Sequence, residues 1–179
     1  MKGVIFSIFN EMIEEKFGLE LWDRMIEETK PVSKGIYTSA QSYHESELFS
    51  YVGLLSKETG ISVEDLVRTF GHFTLIKLSK LYPDFLVKDF KEFLKTIDSV
   101  IHAEVKKIYP DAGLPSFTYE DPAPNQLVMI YKSPRKLCHL AEGLIAGAAE
   151  HYQTKHKLSQ TKCMHLNDPH CRFELTIGE

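Results

Sequence analysis

Leu114-Pro115-Ser116-Phe117-Thr118-Tyr119-Glu120-Asp121-Pro122-Ala123-Pro124-Asn125-Gln126-Leu127-Val128-Met129-Ile130-Tyr131-Lys132-Ser133-Pro134-Arg135 is where the hydrophobic period of this chain changes. Within it, 116–120 and 126–131 alternate or run apolar as strands do, around a Pro/Asn turn. Before it the period is helical. Ile5, Ile8, Phe9, Met12, Ile13 and Phe17 recur up to Gly18, and Leu19, Leu21, Trp22, Met25 and Ile26 continue beyond it. The spacing predicts two consecutive helices there, then helices over 42–56 and 62–82, the latter opened by Ser62 and Asp65 and ended by Pro83. Another is expected over 87–109, stopping before Pro110, with Phe90, Phe93, Leu94, Ile97, Ile101, Val105 and Ile108 as its apolar stripe. After the quoted stretch, Pro134 opens a helix over about 135–155 whose Gly143, Ala146, Gly147, Ala148 and Ala149 permit close approach of another backbone. Strands over 157–162 and 172–177 close the chain. The expected fold is α+β: a helical N-terminal half (about 1–84) packed on a C-terminal small antiparallel sheet with helices (about 85–179), forming one domain over 1–179 without repeats or a long linker.

Composition narrows the function classes. The length suffices for one sizeable core, and 43% hydrophobic with 26% charged residues is ordinary globular usage. A formal charge of −4 without a basic cluster argues against a nucleic-acid surface. No apolar run approaches a membrane span and no secretory signal opens the sequence, so a cytoplasmic location with no membrane partner is expected. Three cysteines, an odd number, suit thiols in a reducing compartment better than a disulfide framework.

Two groups of side chains carry chemistry. His102 falls at the border of the apolar stripe, four residues after Asp98, where it is either a half-exposed partner of that aspartate or an axial ligand for iron. Tyr131, Ser133 and Arg135 alternate on one strand face, so they are either a polar strand edge leading into a helix cap or a set of donors for carboxylates. Cys138, Cys163-x-His165 and His170-Cys171 form the second group. Three sulfurs and an imidazole suit tetrahedral Zn²⁺, and free thiols remain the equal alternative.

The opening Met1-Lys2-Gly3-Val4-Ile5-Phe6, His102, Pro115, Tyr131-x-Ser133-x-Arg135 and the cysteine-bearing tail give the chain, over essentially its whole length, a resemblance to the haem nitric oxide/oxygen-binding family. These are bacterial relatives of the sensor domain of soluble guanylate cyclase. The resemblance implies haem b buried between the two halves, held without covalent attachment because C-x-x-C-H is absent. By the same resemblance His102 is the iron ligand, with Asp98 or a backbone carbonyl fixing its tautomer. Tyr131, Ser133 and Arg135 hold the propionates, and Pro115 presses on the porphyrin. Oxygen-binding members carry a tyrosine five residues after the motif arginine; here that position is Leu140. Phe9 and Thr74 stand at the supporting positions, and Ile5, Leu78 and Leu144 are expected to complete an apolar distal wall. Thr74 alone there has a donor, and a helical threonine often bonds its own backbone. Such a pocket favours nitric oxide, and carbon monoxide, over oxygen.

The resemblance therefore implies a non-catalytic gas sensor. Weakening of the Fe–His102 bond by NO would shift the two halves, and the signal would pass in trans to a histidine kinase or a cyclic-di-GMP enzyme (diguanylate cyclase or phosphodiesterase). It also implies zinc at Cys138, Cys163 and Cys171. Related members place a histidine three residues before the middle cysteine, but this chain has Gln160, so His165 is the expected substitute ahead of His170, His139 and His156. Two rivals are weaker. A haem peroxidase or oxygenase needs a distal base that the Leu/Phe/Ile wall lacks. A haem-free module, zinc-containing and either ligand-binding or redox-sensing, leaves His102 and the strand motif without a role.

Overall fold

The computed structural model describes residues 1–85 and 89–178. Four helices lead: α1 (Gly3–Phe17), α2 (Leu19–Thr29), α3 (Glu45–Thr59) and α4 (Val63–Leu81), followed by a 3-10 turn at Pro83–Phe85. α5 (Phe90–Thr96), a π-helical segment (Ile97–His102) and α6 (Ala103–Ile108) run on from one another. Next come β1 (Ser116–Glu120), β2 (Gln126–Lys132), α7 (Cys138–His151), β3 (His156–Lys162) and β4 (Cys171–Ile177). The sheet order is β1-β2-β4-β3 and every pairing is antiparallel, which is the α+β arrangement the sequence leads one to expect.

Local chemistry sets the element ends. Gly18 separates α1 from α2 at φ 93°, a backbone region open to glycine, while its N–H caps the carbonyls of Ile13 and Glu14. Ser62 Oγ accepts the Asp65 N–H at 3.1 Å to start α4. In β4, Cys171, Phe173 and Leu175 turn inward under α7. Arg172, between them on the outer face, bridges Glu120 and Glu174.

The core divides into two clusters. One is helical, built on Phe6, Phe9, Met12, Trp22, Tyr51 and Phe70. The other lies between α5, α7 and the sheet, built on Phe93, Leu94, Phe117, Leu127, Met129 and Phe173. α4 and α7 join them: Leu75 of α4 belongs to the sheet cluster, and Leu140 of α7 packs on the helical one. Their backbones meet at Gly71, Gly143 and Gly147. A Cβ on Gly71 would overlap the Leu140 carbonyl, and one on Gly143 the Arg68 carbonyl.

Three expectations are corrected. The helix expected from 135 begins at Cys138, because Lys136 adopts φ 50° and breaks the helical path. It ends at His151 rather than near 155. The helix expected over 87–109 has its first two residues outside the described ones, and the rest is not uniformly α. Its π segment holds one residue more per turn than α-helix, rotating the residues beyond it by roughly 100°. The apolar stripe accordingly fails after Ile101: half-buried Ile97 and Ile101 still pack on the sheet cluster, Val105 does not, and Ile108 is 67% exposed. No described helix is long and apolar enough to cross a membrane.

Candidate functional site

His102 closes the π segment, and its side chain is only 16% exposed. On an uninterrupted α-helix it would sit at the stripe's border; the wider turn carries it inward. Asp98 Oδ1 lies 3.4 Å from His102 Nδ1 and accepts the Phe117 N–H at 3.2 Å, so one carboxylate orients the imidazole and ties this helical stretch to β1. With the proton on Nδ1 the lone pair is on Nε2; the Pro115 carbonyl also bonds the ring. Burial lowers the pKa of His102 below the ordinary value, against the opposing pull of Asp98, and so keeps the ring neutral at neutral pH. Phe117 stands 6.0 Å from the His102 ring and 5.3 Å from that of Tyr131.

The strand motif folds onto its own backbone. Tyr131 is buried on β2 and its hydroxyl oxygen accepts the Leu137 N–H at 3.1 Å, while Ser133 Oγ accepts the Arg135 N–H at 3.2 Å. Ser133 also bonds the Tyr131 oxygen, which leaves the Tyr131 phenol proton as the one available for donation. Arg135 reaches the turn before β1 and donates to the Gly113 carbonyl, two residues from half-buried Pro115. Its Nε is 3.3 Å from Glu45 Oε1 but misdirected, leaving a buried N–H without a hydrogen bond. The same turn is held from the other half of the molecule: Lys2 Nζ meets Asp111 Oδ1 at 2.9 Å and Ser42 Oγ meets Asp111 Oδ2 at 2.8 Å.

Of the expected distal residues, Phe9 and Thr74 are buried. Ile5, Leu78 and Leu140 are half-buried against the helical cluster, and Leu144 against the sheet cluster. Thr74 Oγ1 is buried and bonds nothing, not even its own helix.

The three thiols come together, with Cys138 Sγ 3.9 Å from Cys163 Sγ and all three sulfurs within 4.8 Å of one another. The Met164 N–H points at Cys171 Sγ from 3.3 Å. Burial, and then the neighbouring sulfurs, push the Cys138 thiol up to about 12. His165 is not part of that group. It sits with Cys138 and His139 in a second one, again within 4.8 Å, and its ring stacks on that of His139. Sequence reasoning ranked His139 low and missed Glu45 and Gly113 altogether. Glu45 and Arg135 are ninety residues apart and no local pattern links them.

A family model described as haem-NO-binding matches residues 2–160. Soluble guanylate cyclase gcy-35 of Caenorhabditis elegans is 24% identical over 177 residues, covering 93% of this chain but only 26% of that protein. Among solved structures, an H-NOX protein from S. oneidensis in the Fe(II)NO state superposes with a TM-score of 0.94 at 36% identity, over 100% of both chains. The unliganded Fe(II) H-NOX protein from K. algicida gives 0.91 at 37% identity, over 100% of this chain and 97% of that one. An H-NOX from Shewanella woodyi in the Fe(II)CO state gives 0.86 at 36%, over 98% and 94%. The chain belongs to the haem-NO-binding, or H-NOX, family of haem-based gas sensors.

Proposed function

We propose that this chain is a nitric oxide sensor that binds ferrous haem b between its two halves and discriminates against oxygen. The observation that carries the proposal is the largely buried His102, whose burial favours the neutral ring and whose Nδ1 faces Asp98. The residues present fit the cofactor. The buried Arg135 Nε–H, which makes no hydrogen bond although Glu45 lies 3.3 Å away, and the Tyr131 phenol are donors of the kind that carboxylates require. Half-buried Ile5, Leu78, Leu140 and Leu144 stand between two otherwise dense clusters and offer apolar contact to a flat ring. Bound there, haem would be held by His102 and would supply an iron centre able to take a diatomic gas.

The protein's own part is positional. Asp98 holds the imidazole and β1 together, so movement of the ring is carried to the sheet. Pro115, in the turn that Arg135 grips, is the residue proposed to press on the porphyrin. Leu140 and its apolar neighbours exclude water and withhold the donor that a bound dioxygen needs, whereas NO binds tightly without one. Thr74 is the one hydroxyl at the proposed distal positions. The signal is proposed to pass to a separate histidine kinase or cyclic-di-GMP enzyme, with no catalysis by this chain. The test is spectroscopic: reduced protein in air should form no stable oxy complex yet should bind NO and CO. A persistent oxy spectrum would overturn the selectivity.

A specific observation favours a second metal. Three sulfurs at this spacing fit a tetrahedral Zn²⁺, whose sulfur ligands at roughly 2.3 Å lie roughly 3.8 Å apart. We propose that Cys138, Cys163 and Cys171 hold zinc, with His165 moving in from its place beside Cys138, or a water, as the fourth ligand.

A further inference from the structure

Five potential metal ligands, three thiols and two imidazoles, gather where α7 begins and β3 ends, and they do not form one set. The sulfurs of Cys138, Cys163 and Cys171 lie within 4.8 Å of one another, as do the donor atoms of Cys138, His139 and His165. Cys138 alone belongs to both groups, and no described histidine joins all three sulfurs.

His165 is oriented as a metal ligand is, and His139 reaches that arrangement by a change of tautomer. His165 Nε2–H donates to the Lys136 carbonyl at 2.7 Å, which leaves the Nδ1 lone pair uncommitted. His139 Nδ1 lies 3.0 Å from Glu142 Oε2 and 3.1 Å from Arg68 Nη2. Binding a cation at Nε2 selects the tautomer that donates from Nδ1 to Glu142, a carboxylate–imidazole pair typical of metal-bound histidine. Arg68 stays held by Glu142 at 2.7 Å and Asp65 at 2.8 Å. Both rings also border an open cavity of about 750 Å³, along with Cys163 and Gln160. That cavity gives a cation an entry path and leaves room for water to complete its shell.

We propose that Cys138, His139 and His165 form a second cation site, for a borderline divalent ion such as Zn²⁺, bridged through the Cys138 thiolate to the three-sulfur set. One sulfur and two nitrogens suit such an ion better than Mg²⁺ or Ca²⁺, which take oxygen. The three thiolates and Glu142 offset the charge of two neighbouring cations. The proposal is independent of the haem reading; it shares Cys138 with the zinc one and keeps His165 for the second cation, so a water completes the three-thiol site.

The experiment titrates ¹¹³Cd²⁺ into the reduced, haem-loaded full chain as its diamagnetic Fe(II)CO complex, read by cadmium NMR and by metal analysis against iron. Two equivalents and two resonances are expected, one downfield from the sulfur-rich position and one upfield from the mixed position. The double variant His139→Ala, His165→Ala should retain one equivalent and the downfield signal; Cys163→Ser should lose the downfield signal and keep the upfield one. An unchanged CO-complex Soret band serves as the check on folding, and His165→Asn alone gives the same loss of the upfield signal if the double variant does not fold. A single equivalent whose signal survives the histidine variants would overturn the second site and leave the zinc reading intact. A single signal abolished by both sets of variants would mean one mixed site and overturn it equally. No bound cadmium would sink both.

Discussion

Asp98 bonds both the His102 ring and the Phe117 N–H, and that double duty sets what each substitution does. Removing the imidazole leaves the Asp98 bond to Phe117 N–H in place, so the helix should keep its attachment to β1. His102→Gly should therefore fold and still take up haem, but its Fe–His stretch in the resonance Raman spectrum should vanish and an imidazole signal return when free imidazole is added. An undiminished native stretch would remove His102 from the iron. Much of this was legible in the residues themselves: histidine, the Tyr131-x-Ser133-x-Arg135 alternation and the three cysteines declare their chemistry by type and spacing. The partners were not. Glu45 for Arg135, and Glu142 for His139, are ordinary exposed-looking helical acids until the fold brings a guanidinium or an imidazole beside them. The Thr74 hydroxyl is the reverse case, since its residue type suggested a bond to its own helix that the structure does not contain.

Among the elements, the α4–α7 crossing is steric and unforgiving. At Gly143 an added methyl meets the Arg68 backbone carbonyl, which cannot rotate aside as a side chain would. Gly143→Ala should lower the unfolding free energy by about 1–3 kcal/mol, the usual cost of overpacking, read from the urea midpoint; an unchanged midpoint would mean that the two helices are free to separate. The run of small residues in the sequence anticipated a close approach but not its partner, because a glycine stripe says nothing about which backbone it meets. Element boundaries were legible wherever a local signal fixed them, as at Gly18 and Ser62. The π segment was not, because an α-helical wheel assumes the very register that the segment breaks. That single irregularity explains why an apolar stripe drawn through Ile108 ends in solvent while the histidine at its edge is largely covered.

At the scale of the whole molecule, two histidines make stability depend on pH. Burial lowers the folded-state pKa of His102 and of His156, so the unfolded chain takes up protons that the folded one refuses. The stability they permit is complete above the ordinary histidine value of about 6.5 and drains away as pH falls from there towards their lowered folded values. The thermal midpoint of haem-free protein should thus drop between pH 7.5 and 5.5, above the range in which carboxylates titrate. Replacing both with glutamine should flatten that slope, and a slope unaltered by the replacement would assign the effect elsewhere. The α+β architecture was readable from the switch of hydrophobic period near Leu114, but the way two cores share α4 and α7 depends on contacts that no periodicity encodes. The turn between α6 and β1 shows a further contrast. Lys2 and Ser42 grip it at Asp111 from the helical side and Arg135 at Gly113 from the sheet side, and Asp111 is open to solvent. Concentrated electrolyte weakens an ion pair whose carboxylate is so open, whereas the close glycine contacts of the helix crossing hold no charge to screen. Ionic strength is therefore a dial on the slack of the joint that leads away from His102.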